Sequence, residues 1–256
     1  MDLHLKGKRA IVLGGTRGIG RAIAETLAGE GADVAICARN AEQVEEAVGA
    51  LRKKGVRATG AAVDISKGEE LKAWVGEAAK TFGGIDILVS NASALTMGVH
   101  AEAWEQLLKI DILGAVNAFD AARPHLEKAA ADNGDASFVM ISSVSAAETQ
   151  NAQAYGAIKA ALIHYAKGLA REFAKKRVRV NVVSPGTIYF KGGVWHMIEQ
   201  NMADRYNAAM KANPTGRMGT PQEIANAAVF LSSPASSFTT GANLIVDGAI
   251  TQRVNF

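Results

Sequence analysis

Tyr155-Gly156-Ala157-Ile158-Lys159 sets a phenol and an ammonium four residues apart, early in a segment with helical spacing. Four residues is about one helical turn, so the two side chains point the same way. The pair suits proton transfer to a carbonyl oxygen. Carbonyl reduction needs a proton on oxygen as hydride reaches carbon, so an acid must stand within hydrogen-bond reach. A free phenol titrates near pH ~10; a neighbouring ammonium favours the phenolate and brings the group closer to neutral pH. Upstream, Ser142-Ser143 closes the apolar run Phe138-Val139-Met140-Ile141. A serine hydroxyl at such a strand end gives a second donor to orient the carbonyl.

A second constellation suits a dinucleotide. Arg9–Leu13 runs into Gly14-Gly15-Thr16-Arg17-Gly18-Ile19-Gly20, and a helical segment follows. Glycines belong there because the chain must turn sharply, let a pyrophosphate approach the backbone, and pack helix on strand. The helix start then offers free N–H groups and a positive dipole end. The next strand ends Ile36-Cys37-Ala38-Arg39-Asn40. An acidic side chain near this point would hold the ribose hydroxyls and repel a 2′-phosphate. Here Ala38 is small and uncharged, and Arg39 and Arg17 form a guanidinium clamp for a dianion, which predicts NADP(H). Asp64-Ile65 closes the third strand; its carboxylate suits an adenine amine or, equally, the cap of the next turn. Asn91-Ala92-Ser93 closes the fourth with small residues against which a flat cofactor can lie. Lys159 is expected to hold the nicotinamide ribose as well as to tune Tyr155.

The elements that position these groups alternate along the whole chain. Strand-like runs cover Arg9–Gly14, Asp33–Ala38, Val56–Val63, Ile85–Ser90, Ser137–Ser142, Val178–Ser184 and Asn243–Val246. Several are continuously apolar, as strands buried on both faces of a parallel sheet are. Between them lie helical patterns, including roughly 67–82, 101–130 and 153–176. Alternation of this kind predicts an α/β doubly wound sheet with helices on both faces. No linker, repeat or composition break divides the chain, so residues 1–256 read as a single Rossmann-type domain.

Composition narrows the function classes. The 256 residues are 48% hydrophobic and 21% charged, with a net charge of +3. The densest basic run, Lys175-Lys176-Arg177, looks like the solvated end of a helix, and no basic stripe interleaved with aromatics suggests nucleic acid. No apolar run is long enough for a membrane span, no secretory leader pattern is seen, and no metal site is expected. The single cysteine, Cys37, lies in an apolar run and reads as a core residue, consistent with a cytoplasmic protein.

Taken in order, these pieces resemble the short-chain dehydrogenase/reductase family over residues 7 to 250. The matching residues are Gly14–Gly20, Asp64-Ile65, Asn91-Ala92, Ser143, Tyr155 with Lys159, Asn181, Pro185-Gly186, Gly216 through Pro221, and Val246-Asp247-Gly248. The resemblance implies a seven-stranded parallel sheet and a Tyr/Lys/Ser mechanism. It also implies that Ile188 offers backbone groups to the nicotinamide carboxamide, and a homotetramer like those of the 3-oxoacyl-carrier-protein reductase branch. Departures from the family pattern bear on function. Leu13 replaces a threonine before Gly14, removing a loop hydrogen bond. Ser93 stands where glycine is usual, against the cofactor face or the substrate. Asp111 stands where the family carries a catalytic asparagine; it can serve through its backbone carbonyl, or draw Lys159 away from the tyrosine. Phe190 replaces a threonine, removing a cofactor contact. Ser142 has the family's spacing to Tyr155, but Ser143 better fits the strand-end motif and is taken as the catalytic serine.

Residues 187–214 are expected to cover the substrate. They include Tyr189, Phe190, Trp195, Met197, Met202, Tyr206 and Met210, which line a lid or pack between helices, and His196 reads as a hydrogen-bonded residue. An apolar lid excludes water during hydride transfer and favours a ketone or fatty-acyl-like substrate over a sugar. The resemblance to carrier-protein reductases implies basic residues beside the site entrance, partly in the loop before the fifth strand. Here that loop, Ala131–Asp135, is acidic, though Lys175 and Lys176 remain on the neighbouring helix, and a free or CoA-linked substrate is expected over a carrier-bound one. The expected activity is interconversion of a ketone or 3-oxoacyl carbonyl with its secondary alcohol. Two alternatives are an enoyl- or dienoyl-thioester reductase, since Asp replaces the asparagine in related dienoyl-CoA reductases, and a non-catalytic NADP(H) sensor.

Overall fold

A computed structural model describes residues 2–149 and 152–254. Seven strands form one parallel sheet in the order β3-β2-β1-β4-β5-β6-β7. They are β1 (Arg9–Leu13), β2 (Asp33–Ala38), β3 (Ala58–Ala62), β4 (Ile87–Ser90), β5 (Ala136–Ile141), β6 (Val178–Pro185) and β7 (Asn243–Val246). Each expected strand is present, with ends shifted by up to two residues. The order reverses between β1 and β4, and it is at such a switch point that sheets of this kind bind ligands.

Side chains alternate across the sheet and give each face its own core. Ile11, Leu13, Phe138 and Met140 face α3 (Gly68–Phe82), α5 (Leu113–Asn133) and α6 (Ala154–Phe173). Ala10, Val12, Val139 and Ile141 face α1 (Gly18–Gly29), α2 (Ala41–Arg52) and α9 (Pro221–Ser232). Cys37 is buried in the first of these cores, and burial pushes its thiol up to about 12.

Three expectations about local structure change. The single helix expected over 101–130 is α4 (Ala101–Leu107) and α5, joined by a π-helical turn, Leu108–Ile112. Residues 187–214 contain two short helices, α7 (Val194–Asn201) and α8 (Ala203–Ala212). The segment Ala131–Asp135 ends α5 and leads into the start of β5, as Lys175 and Lys176 lead into β6. All strands run in parallel, so these segments lie at the opposite edge of the sheet from Ser143. Within one chain they are therefore remote from the site entrance. Among the described residues no helix is long and apolar enough to cross a membrane.

Candidate functional site

The glycine loop is a backbone cradle between β1 and α1. Gly14 and Gly18 have φ of 72° and 54°, and a Cβ on Gly20 would collide with the Gly14 carbonyl and the Asn91 amide. Arg17 is the N-cap of α1 in an extended conformation and makes no side-chain cap, so the first-turn amides keep no side-chain acceptor. The loop hydrogen bond lost with Leu13 is supplied from elsewhere: Asn91 Nδ2 donates to the Gly14 carbonyl at 3.1 Å. That role of Asn91 is not visible in the sequence, because its partner is 77 residues away.

Ala38 ends β2, with Arg39 exposed after it; Arg17 is exposed in the loop. No carboxylate pairs with either arginine among the described residues. Asp64 adopts the turn-capping role: its Oδ1 accepts from the Ser66 amide at 3.0 Å and the Ser66 hydroxyl at 2.7 Å. The Ser66 hydroxyl, helped by the charges of Lys67 and Arg39, holds this carboxyl below its usual range. Gly114 packs so closely on Ile65 that a Cβ would meet its methyl at 2.5 Å. A short parallel bridge joins Ile188 to Gly219, using the Thr187 carbonyl and the Tyr189 amide. The amide and carbonyl of Ile188 itself are thereby directed to the other side. Pro185 ends β6, and Gly186 follows it against Asp247, which a Cβ on Gly186 would meet at 2.8 Å. Thr16, Ile19 and Ala92, half-buried around the loop, complete the cradle. Small size, unpaired guanidiniums and unpartnered amides fit a phosphorylated dinucleotide.

At the far side of the switch point, Ser143 follows β5 and caps a 3₁₀ turn, Val144–Ala146, accepting from the Ser145 amide at 3.1 Å. Tyr155 and Lys159 occupy the start of α6. Gly156 lets that helix approach: a Cβ there would lie 2.5 Å from the Ser145 carbonyl oxygen. The glycine inside the Tyr-x-x-x-Lys motif thus brings the helix onto the turn that begins at Ser143. Ser142 is buried, and its hydroxyl donates to the Lys159 carbonyl at 2.9 Å. Ser143 is only half-buried, so of the two serines it has the more accessible hydroxyl.

Lys159 is buried, with its Nζ 5.6 Å from the centre of the Tyr155 ring. It donates to the Ile141 carbonyl at 3.0 Å and pairs with Asp111 Oδ1 at 2.9 Å. Burial works against its charge, but Asp111 and Tyr155 outweigh it and hold the ammonium above its ordinary range. Asp111 lies on the π turn, and its Oδ2 accepts from the Ala94 amide at 2.9 Å. Its Oδ1 is in close ion-pair contact with the ammonium without hydrogen-bond alignment. Of the two expectations for Asp111, direct engagement of Lys159 is what the structure contains.

The remaining departures also find their places. Ser93 turns to its own loop, accepting from the Leu95 amide at 3.2 Å. Phe190 lays its ring on Gly18 and Gly193, so it touches the glycine loop itself. Within residues 187–214, Tyr189 donates to Glu199 Oε2 at 2.5 Å and stacks edge-on to His196 and Tyr206. His196 accepts from the Gly192 amide at 3.1 Å, as a hydrogen-bonded residue should. The segment mixes this polar group with exposed Val194, Met197 and Met202.

Comparison with known proteins gives a consistent answer. Residues 14–251 match a family model described as enoyl-(acyl carrier protein) reductase. The chain is 36% identical to the isoepoxydon dehydrogenase patN of Penicillium expansum, covering 96% of this chain and 95% of that protein. It is 32% identical to the 3-oxoacyl-[acyl-carrier-protein] reductase FabG of Chlamydia pneumoniae, covering 98% and 100%. The solved L-sorbose reductase of Gluconobacter frateurii, complexed with NADPH and L-sorbose, superposes with a TM-score of 0.89 at 30% identity, covering 99% and 100%. A model spanning nearly all of the chain, relatives matched along their full length and a shared seven-stranded sheet agree, and the chain belongs to the short-chain dehydrogenase/reductase family of oxidoreductases.

Proposed function

We propose that this protein is an NADP(H)-dependent reductase that interconverts a ketone and its secondary alcohol, with Tyr155 as the acid/base. The observation that carries the reading is the packing of the first turn of α6 on the turn after Ser143, which gathers the phenol, the ammonium and a serine hydroxyl at the strand ends. NADPH, when bound, supplies the hydride. The chain would hold its phosphates in the Gly14–Gly20 loop, through the helix-start amides of Gly18, Ile19 and Gly20 with Thr16 alongside, and its 2′-phosphate with Arg17 and Arg39. Asp64, Ile65, Asn91 and Ala92 flank the adenosine side; Pro185, Gly186 and the backbone of Ile188 take the carboxamide end. Ser143 donates to the substrate carbonyl oxygen and orients it. Tyr155 gives that oxygen its proton, and Lys159 supports the tyrosine and holds the ribose. Asp111 acts through Lys159. The lid over 187–214 covers the substrate, and the protein works in the cytoplasm as a homotetramer. The mixed lining of that lid, with the Tyr189–Glu199 pair among methionines, suits a ketone carrying both polar and apolar groups.

The experiment is NADPH oxidation against a panel of simple ketones, polyol ketones, 3-oxoacyl thioesters and enoyl or dienoyl thioesters, for wild type and Tyr155→Phe. The phenylalanine keeps the ring and removes the proton donor. Turnover on the accepted ketone should fall about 10²–10⁴-fold, with NADPH affinity nearly unchanged. Unchanged turnover in the variant would reject Tyr155, and activity confined to enoyl thioesters would select that reductase class instead. Tight NADPH binding with no turnover across the panel would select a sensor.

A further inference from the structure

Asp111 and Lys159 bury two opposite unit charges beside the proposed nicotinamide position, 2.9 Å apart, with side chains at most 3% exposed. The carboxylate faces donors on both sides: the Ala94 amide at Oδ2 and the ammonium at Oδ1. An asparagine of the same shape can serve only one. With its oxygen toward the Ala94 amide, its NH₂ meets the ammonium; turned over, its NH₂ meets the amide. This backbone geometry therefore asks for an acid. Other charges on the elements packed around α6 lie at the surface or at the opposite edge of the sheet. Lys109 of the π turn pairs with Glu105 at the surface, Glu102 of α4 is exposed beside His100, and Arg179 of β6 pairs with Asp135 at the opposite edge. The net charge of the buried cluster thus depends on Asp111: zero with the carboxylate, plus one without it.

The two forms of the cofactor differ in just this quantity. Their phosphates are common, but the oxidised nicotinamide ring is a cation and the reduced ring is neutral. A lone ammonium nearby disfavours the cation, whereas a neutral ion pair largely does not. We propose that Asp111 is a positioning residue whose charge cancels that of Lys159 and so lets the site accept oxidised and reduced cofactor on comparable terms. The inference rests on the proposed function, since it takes Lys159 to lie beside the nicotinamide.

The test is binding without substrate. Calorimetric titration of NADP⁺ and NADPH into wild type, Asp111→Asn and Asp111→Ala gives the ratio of their dissociation constants. One uncompensated charge at the distance of a neighbouring group should weaken NADP⁺ relative to NADPH by about tenfold in both variants. The double variant Asp111→Asn/Lys159→Met, neutral again, should return the ratio toward the wild-type value while losing affinity for both forms. Should Asp111→Asn fail to fold, Lys159→Met carries the same test with the opposite sign, favouring NADP⁺. Equal losses for both cofactors would mean a merely structural role and overturn the inference, as would a shift of the wrong sign. Wild type that binds neither cofactor would overturn the proposed function itself, and this inference with it; loss of turnover in Tyr155→Phe bears only on the former.

Discussion

The two edges of the sheet are built on opposite principles. At the edge where strands begin, charge is matched and saturated. Asp86 accepts from the Arg9 amide at 2.9 Å, the Arg9 guanidinium at 2.6 Å and Asn133 at 3.3 Å. Arg179, 4% exposed, reaches Asp135 at 2.6 Å, the carbonyls of Leu231 and Ser233, and the Ser236 hydroxyl. Asp33 takes the Arg57 amide and guanidinium. At the edge where strands end, Arg17 and Arg39 are exposed without a paired carboxylate, and α1 starts without a side-chain cap. One edge commits its charges to holding the fold, and the other leaves two guanidiniums and a helix start without a side-chain partner.

Breaking the saturated edge should cost stability and leave binding alone. Arg179→Ala strands the Asp135 carboxylate and several buried acceptors, and removal of one partner from such a buried pair costs about 3–5 kcal/mol. Urea denaturation should show that loss, with NADPH affinity of the folded protein unchanged. A variant as stable as wild type would mean that the network contributes little.

Breaking the open edge should do the reverse. Arg39→Ala should lower NADPH affinity about ten- to a hundredfold, leave NADH affinity where it was, and not move the melting temperature. An unchanged preference for NADPH would remove Arg39 from the 2′-phosphate site.

The smallest effect sharpens the contrast at α9. Thr220 caps this helix in a reciprocal box with Glu223, and Arg217 pairs with the same carboxylate at 2.6 Å. Arg217 and the Thr220 amide hold the Glu223 carboxyl down at about 2, from an ordinary 4.5. A depressed folded value means the contribution is fully present above pH ~4.5 and is lost as pH falls from there toward ~2. The group is exposed, so the gain is small. Glu223→Gln should lower the melting temperature by no more than about 2–4 °C at pH 7, and the difference from wild type should shrink at pH ~3. A constant difference at both pH values would exclude the carboxylate's charge as its source.

Much of this was legible from residue types. Runs such as Phe138–Ile141 are apolar on both faces because both faces of a parallel strand are covered, and that continuity marks several of the seven strands. The glycine loop and the Tyr155–Lys159 pair were visible because local spacing creates them. What stayed hidden depends on partners distant in sequence. Asn91 bonds across 77 residues to the glycine loop, and the Ser142 hydroxyl is spent on the carbonyl of Lys159. Composition carries no direction, so it does not say at which edge of the sheet Ala131–Asp135 lies; the parallel strand order does.

The π turn at Leu108–Ile112 also reads as a correction of phase. The buried positions Ala103, Leu107, Asp111 and Ala115 recur every fourth residue. At about 100° per residue each such step overshoots a full turn by about 40°, so a straight α-helix would carry its last member about 120° away from its first. One widened turn absorbs that drift, keeping α4 against α6 and α5 against the sheet with Asp111 facing inward between them. The acid is therefore aimed by the length of the helix as much as by its own identity. Losing a single residue from this turn would leave every charged group in the chain intact and still swing Asp111 out of line with Lys159.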